Sequence, residues 1–129
     1  MTRGNTMLVL LLTALAGCSA TSPSVSGLHP DVTIRLGAQT LGSTAFSPNP
    51  LTISLATKQS VRWGNADYTG GSYGGSGVAH TVTSDSSGLF SSGQLQPRSV
   101  FSFTFTTPGT YTYHCSNHPT MVGSIIVTP

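Results

Sequence analysis

The chain has 129 residues, room for one domain, and its 5 Lys+Arg and 3 Asp+Glu give a formal net charge of +2. A helical protein would carry a surface rich in Glu and Lys, so charge this sparse argues against that class. With no Lys/Arg cluster and no interleaving of basic and aromatic residues, a nucleic-acid partner is excluded as well.

The N-terminus reads as a targeting segment. Arg3 supplies a short positive region, and Met7 to Ala16 form an apolar run of ten residues. That is the length of a signal-peptide core and too short to span a bilayer as a helix. The run ends in Leu15-Ala16-Gly17-Cys18. This resembles the bacterial lipobox, which implies that residues 1–17 are a lipoprotein signal peptide and that a diacylated Cys18 is the mature N-terminus. Two acyl chains suffice for stable anchoring. A cleavable signal with an incidental Cys and a Cys18–Cys115 disulfide are the alternatives, since two Cys in an exported chain suggest a bridge. Residues 18–30 are rich in Ser, Thr, Pro and Gly and read as a flexible tether. His29 lies in this tether with no metal partner nearby and reads as a solvated residue.

From residue 31 to 129 the pattern alternates every second position. Val32-x-Ile34-x-Leu36, Leu51-x-Ile53-x-Leu55, Phe101-x-Phe103-x-Phe105 and Tyr111-x-Tyr113-x-Cys115 each predict a strand with one face inward. Pro48, Pro50, Pro97, Pro108 and Gly109 mark turns. No long segment has a helical period, and short strands separated by turns over about 100 residues indicate an all-β sandwich. Trp63 is expected in its core. Thr69 to Gly77 contains five glycines and reads as a flexible surface loop leading toward His80.

The chemistry is concentrated near the C-terminus, where Cys115, His118 and Met121 are spaced C-x-x-H-x-x-M. A thiolate and an imidazole suit copper in both redox states, and a weak axial thioether completes a blue-copper site. Such a site needs a second His, and His80 in Val78-Ala79-His80-Thr81-Val82-Thr83 is the candidate. Alternation places Tyr111, Tyr113 and Cys115 on one face. His118 and Met121 are expected on the turn after Cys115, and His80 at the opening of a neighbouring strand. Loops gather at the ends of a sandwich, so ligands from two parts of the chain can meet there.

At these residues the chain resembles the small blue copper proteins, the plastocyanin/amicyanin-like branch of the cupredoxins. Val61-x-Trp63-x-Asn65-x-Asp67, Phe90-Ser91-Ser92-Gly93, the approach Pro108-Gly109-Thr110-Tyr111-x-Tyr113-x-Cys115 and the closing Met121-x-Gly123-x-Ile125-x-Val127 are all similar to segments of that family. The resemblance implies a Greek-key β-sandwich and one copper per chain held by His80, Cys115, His118 and Met121. The family often has Asn after its first His, helping to hold the thiolate; here Thr81 offers a backbone N–H and a hydroxyl instead. Asn117 leaves a backbone N–H free for the sulfur, where the amicyanin-type loop has Pro. Pro119 stiffens the short loop.

These features together read as a lipid-anchored, monomeric electron carrier of the cell envelope. It would sit extracytoplasmically, on the periplasmic or outer surface. It would meet redox partner proteins transiently near His118, beside Pro119, Leu89 and Phe90. Two other classes remain open. In an oxidase or nitrite-reductase-like enzyme, a second copper would sit at His114. A copper storage or delivery protein would hold its metal exchangeably.

Overall fold

The computed structural model describes residues 29–70 and 75–129. The signal segment, Cys18, the tether up to residue 28 and residues 71–74 of the Gly-rich loop lie outside the described residues. Among the described residues there are ten strands, two single-turn 3₁₀ segments (Ala38–Thr40 and Gly42–Thr44) and no α-helix.

The strands are β1 (Val32–Ile34), β2 (Phe46–Ser47), β3 (Leu51–Ser54), β4 (Ser60–Asn65), β5 (Tyr68–Thr69), β6 (Ser76–Gly77), β7 (Thr83–Ser84), β8 (Val100–Thr104), β9 (Gly109–Cys115) and β10 (His118–Thr128). One sheet has the order β2-β1-β4-β8 and the other β3-β10-β9-β7. The pairs β1–β4 and β3–β10 are parallel, and the remaining pairs are antiparallel. The chain therefore crosses between sheets more than once, and the result is the expected Greek-key sandwich.

Alternation explains the inner faces. Val32 and Ile34 from β1 and Val61 and Trp63 from β4 are buried against Tyr113 and Cys115 from β9 and Met121, Ile125 and Val127 from β10. Aromatic rings join the two layers. Trp63 meets Tyr113 edge-on at 5.6 Å between centroids, and Phe90 lies 5.7 Å from Trp63 and 4.9 Å from Phe103. Such pairs add about 0.5–1.5 kcal/mol each beyond the area they bury.

Three local expectations need correction. The first strand stops at Ile34, because Gly37 adopts a left-handed φ of 73° and turns the chain into the first 3₁₀ segment. Leu36, the third residue of that apolar run, is consequently 58% exposed. His80 does not open a strand; it forms an isolated antiparallel bridge with Leu95, and β7 begins only at Thr83. Phe90 is buried among aromatic rings and so is no surface residue. The Gly-rich segment is anchored at its base, where Tyr68 pairs with Gly77 and Thr69 with Ser76.

One packing detail constrains the sheet below the site. Gly123 sits opposite Tyr113 in the β9–β10 register, and a Cβ there would lie 2.5 Å from the ring's Cζ and hydroxyl oxygen. Burial pushes the Tyr113 phenol up to about 12 against a hydrogen-bonding interaction with the Trp63 indole, and no contact of standard hydrogen-bond geometry reaches its hydroxyl. A buried hydroxyl without a partner costs about 1–3 kcal/mol. Tyr113→Phe is therefore expected to leave thermal stability unchanged or raise it by about 1 kcal/mol, whereas a loss of several degrees in the melting temperature would show that the hydroxyl is satisfied in solution.

Candidate metal centre

Strand β9 ends at Cys115, Ser116 and Asn117 make the turn, and β10 begins at His118, which pairs directly with Cys115. Two intervening residues give the tightest class of hairpin, so C-x-x-H spacing sets thiol and imidazole side by side. The register then shifts between His118 and Val122, a bulge that contains Met121. Bulges re-aim side chains, and Met121 is fully buried. His118 and Met121 thus belong to the opening of a strand, not to a separate loop.

His80 arrives from the other part of the chain. It exchanges backbone hydrogen bonds with Leu95, its N–H donating to Leu95 O at 3.2 Å and its carbonyl oxygen accepting Leu95 N–H at 2.8 Å. The next residue reaches across to the hairpin: Thr81 N–H donates to Cys115 Sγ at 3.3 Å, and Thr81 Oγ1 accepts Ser116 N–H at 2.7 Å. The Thr83 hydroxyl donates to the same oxygen at 3.1 Å. One threonine therefore fixes both the sulfur and the residue after it.

The result is a triangle of donor atoms. His80 Nδ1 and His118 Nδ1 each lie 3.7 Å from Cys115 Sγ and 3.2 Å from one another. His80 and Cys115 are fully buried and His118 half-buried. With metal–nitrogen bonds of roughly 2.0–2.1 Å and metal–sulfur bonds of about 2.3 Å, a trigonal ion would separate its ligands by roughly 3.5–3.8 Å. The two sulfur–nitrogen separations lie in that range and the nitrogen–nitrogen one is a few tenths of an ångström shorter, so the donors present can close on one ion. A carboxylate oxygen of Asp67 lies 2.7 Å from His80 Nε2, which assigns the ring proton to Nε2 and leaves the Nδ1 lone pair for the metal. Two imidazoles and a thiolate in one plane are the donor set of a blue-copper site.

The family described as copper-binding proteins, plastocyanin/azurin family, matches residues 32–128. This chain belongs to that family. Its cofactor is accordingly copper. Among solved structures it is similar to a purple cupredoxin from Nitrosopumilus maritimus, at 28% identity and TM-score 0.62 over 75% of this chain and 97% of the other. It also resembles a copper(I) amicyanin variant in fold, at 23% identity and TM-score 0.54 over 74% of this chain and 78% of that one. A copper-containing nitrite reductase from Thermus scotoductus SA-01 shares 33% identity at TM-score 0.51 over 65% of this chain, but only 20% of the reductase is covered.

A buried sulfur that ligates a metal must ionise, and here four neighbours make that possible. Burial raises the Cys115 thiol, but the His80 ring, Thr81 N–H, the His118 ring and Asn117 N–H outweigh it and bring the thiol from 9.0 to about 6. Burial also opposes protonation of His80, and there too Cys115 and Asp67 prevail, raising it above its ordinary value. Asn117 turns its side chain away from the sulfur. Its Nδ2 donates to Ala79 O at 3.1 Å, and it forms a reciprocal amide pair with Gln94, each contact 3.0 Å. The turn is thereby pinned to the segment carrying His80.

His114 points to the opposite side of β9, where its Nδ1 meets Asp85 Oδ1 at 2.6 Å. Hydrogen bonds from Thr112 and His114 hold the Asp85 carboxyl below its ordinary value. Among the described residues, His80, Cys115 and His118 form the one cluster of His, Cys, Asp or Glu suited to a metal. His29 is exposed, and Cys115 is a free thiol.

Two contributors escape sequence reasoning, Asp67 and Gln94. Asp67 is one of only three acidic residues in the chain and stands in the Trp63-x-Asn65-x-Asp67 run. A carboxylate on the inward phase of an apolar strand pattern is the signal that could have marked it. Nothing comparable marks Gln94, which matters only because Leu95 happens to bridge to His80.

A lowered thiol means that the metal-binding thiolate persists down to about pH 6, so metal uptake should rise as pH climbs through about 6 and then level off. An ordinary thiol would keep gaining up to about 8.5. Titrating the ultraviolet thiolate band of metal-free protein checks this, and a midpoint near 8 or above would contradict it.

Proposed function

We propose that this domain is a type 1 copper electron carrier whose ligands are His80, Cys115, His118 and Met121. The supporting observation is the triangle of His80, Cys115 and His118 atoms, with Met121 buried at the bulge that follows. Bound copper supplies the chemistry, a one-electron Cu(II)/Cu(I) couple. The protein's part is to hold its donors still. His80 is fixed by Leu95 and Asp67, Cys115 by Thr81, and His118 by strand pairing with Cys115. Donors so constrained move little between redox states, which keeps the reorganisation cost small.

Thr81 and Asn117 act behind the ligands, Thr81 through its N–H and hydroxyl and Asn117 through its backbone N–H. Donors to the sulfur favour the more charged thiolate bond and so favour Cu(II). Electrons would exchange through His118, the half-buried ligand, beside exposed Pro119. With a net charge of +2 the chain suits brief, mainly apolar docking of redox partner proteins. A monomer suffices, because each chain carries its own donors. A fully buried Cys115 and Met121 argue for retained metal, not a delivered one. The engagement of His114 by Asp85 favours the carrier reading over the enzyme one.

Residues 1–17 serve as the signal, Cys18 as the lipidated residue and 18–30 as the tether, leaving residues 31–129 as the copper domain outside the cytoplasm. This reading rests on the Leu15-Ala16-Gly17-Cys18 run.

The carrier reading predicts one copper per chain and an intense Cys-to-copper absorption. Cys115→Ser should abolish that colour entirely, and Met121→Leu should keep copper while raising the reduction potential, since a donor that favours Cu(II) is removed. Metal analysis with spectroscopy and voltammetry decides the matter: a blue spectrum surviving Cys115→Ser, or two coppers per chain with turnover lost in His114→Ala, would sink it.

Cys18→Ala should prevent lipid attachment and release the domain from membranes. Mass spectrometry of the mature N-terminus is the check, and an unmodified Cys18 would rule the anchor out.

A further inference from the structure

Asp67 is a buried carboxylate with no role in the donor triangle itself. Its side chain is 4% exposed and that of His80 0%. All its contacts are accounted for. Oδ1 accepts Gly37 N–H at 2.8 Å, and Oδ2 accepts Ala38 N–H at 3.3 Å and His80 Nε2–H at 2.7 Å. Its own backbone is held as well, since Asp67 N–H donates to Asn65 Oδ1 at 2.9 Å and Val78 N–H donates to Asp67 O at 3.0 Å. Asn65 Nδ2 in turn binds Val78 O at 2.8 Å and Leu95 O at 2.9 Å. The carboxylate is therefore mounted on a rigid frame that also carries the bridge partner of His80.

Burying an anion is costly unless it is paired. If Asp67 served only to cap the turn at Gly37 and Ala38, neutral acceptors would suffice and the charge would be a burden. The charged form is instead aimed at the one imidazole that can use it.

We propose that Asp67 is the positioning residue of the copper centre: its carboxylate holds His80 in the Nε2–H tautomer, directs Nδ1 at the metal, and biases the couple toward Cu(II). This rests on the reading of His80 as a copper ligand. A carboxylate behind a metal-bound imidazole fixes its orientation and raises its basicity. Its negative charge, in a water-free setting, favours the more positive metal state. Neutralising it should shift preference toward Cu(I).

The test compares Asp67→Asn with Asp31→Asn, which removes the same charge from a residue paired with Lys58 at 2.6 Å, outside the site. The preference for Cu(I) over Cu(II) is expected to rise about tenfold in Asp67→Asn, which for a one-electron couple is about 59 mV in potential. Asp31→Asn should shift it far less. Nitrogen NMR of the His80 ring, in metal-free and Cu(I)-loaded protein, should show a single Nε2–H tautomer in the native chain and a mixture in Asp67→Asn. An unchanged potential together with an unchanged tautomer would overturn the proposal and leave Asp67 as a turn cap. If Asp67→Asn fails to fold, the native ring spectrum decides: a neutral metal-free His80 ring protonated on Nδ1 and not on Nε2 refutes the assignment, and a slowly exchanging Nε2–H supports it. Failure of the copper-ligand reading would register separately, as a missing blue band in the native protein, while the metal-free spectrum still reports on the Asp67–His80 bond.

Discussion

A sulfur that must carry charge where water cannot reach it is the constraint around which this molecule is organised. Cys115 is 0% exposed, and an isolated buried anion would protonate instead of binding metal. The chain meets this requirement with donors from three directions. Thr81 N–H comes from the segment beside it, Asn117 N–H from the turn beyond it, and the imidazoles of His80 and His118 face it across the site. Each of those donors depends on a particular register, so the sheet pairing of the copper end is inseparable from the chemistry of one atom.

The surrounding polar groups form a second set of ties with little redundancy. Thr81 Oγ1 receives Ser116 N–H and the Thr83 hydroxyl, and the Asn117–Gln94 amide pair clamps the turn to Ala79. These contacts join β9 and β10 to the segment around His80, which has only an isolated bridge of its own. The aromatic layer beneath, with Trp63, Phe90 and Tyr113 in mutual contact, supplies the stiffness on which those weaker polar ties rely.

Much of this was legible in the sequence, and the reasons are physical. Alternation in Tyr111-x-Tyr113-x-Cys115 reports directly on which face a side chain takes, and the C-x-x-H spacing fixes a hairpin, so both the sandwich and three converging donors could be read. The boundaries of β1 could not, because the stop at Ile34 depends on Gly37 turning left-handed to offer its N–H to Asp67, a residue far along the chain. The burial of Phe90 is hidden for a similar reason: a single aromatic in a Ser/Gly-rich segment carries no period to tell which way it faces. Gln94 and Asp67 act through contacts between distant segments, and only the folded arrangement makes those visible.

The parallel pairing of β10 with β3 sets Ile125 opposite Leu51. Partners so distant along the chain meet late, because the closure entropy of the intervening segment is paid before any contact repays it. In the unfolded chain Cys115 is an ordinary accessible thiol, open to sulfenic acid formation or to mixed disulfides. In the folded chain it is fully buried. The fold thus shields the ligand as well as placing it.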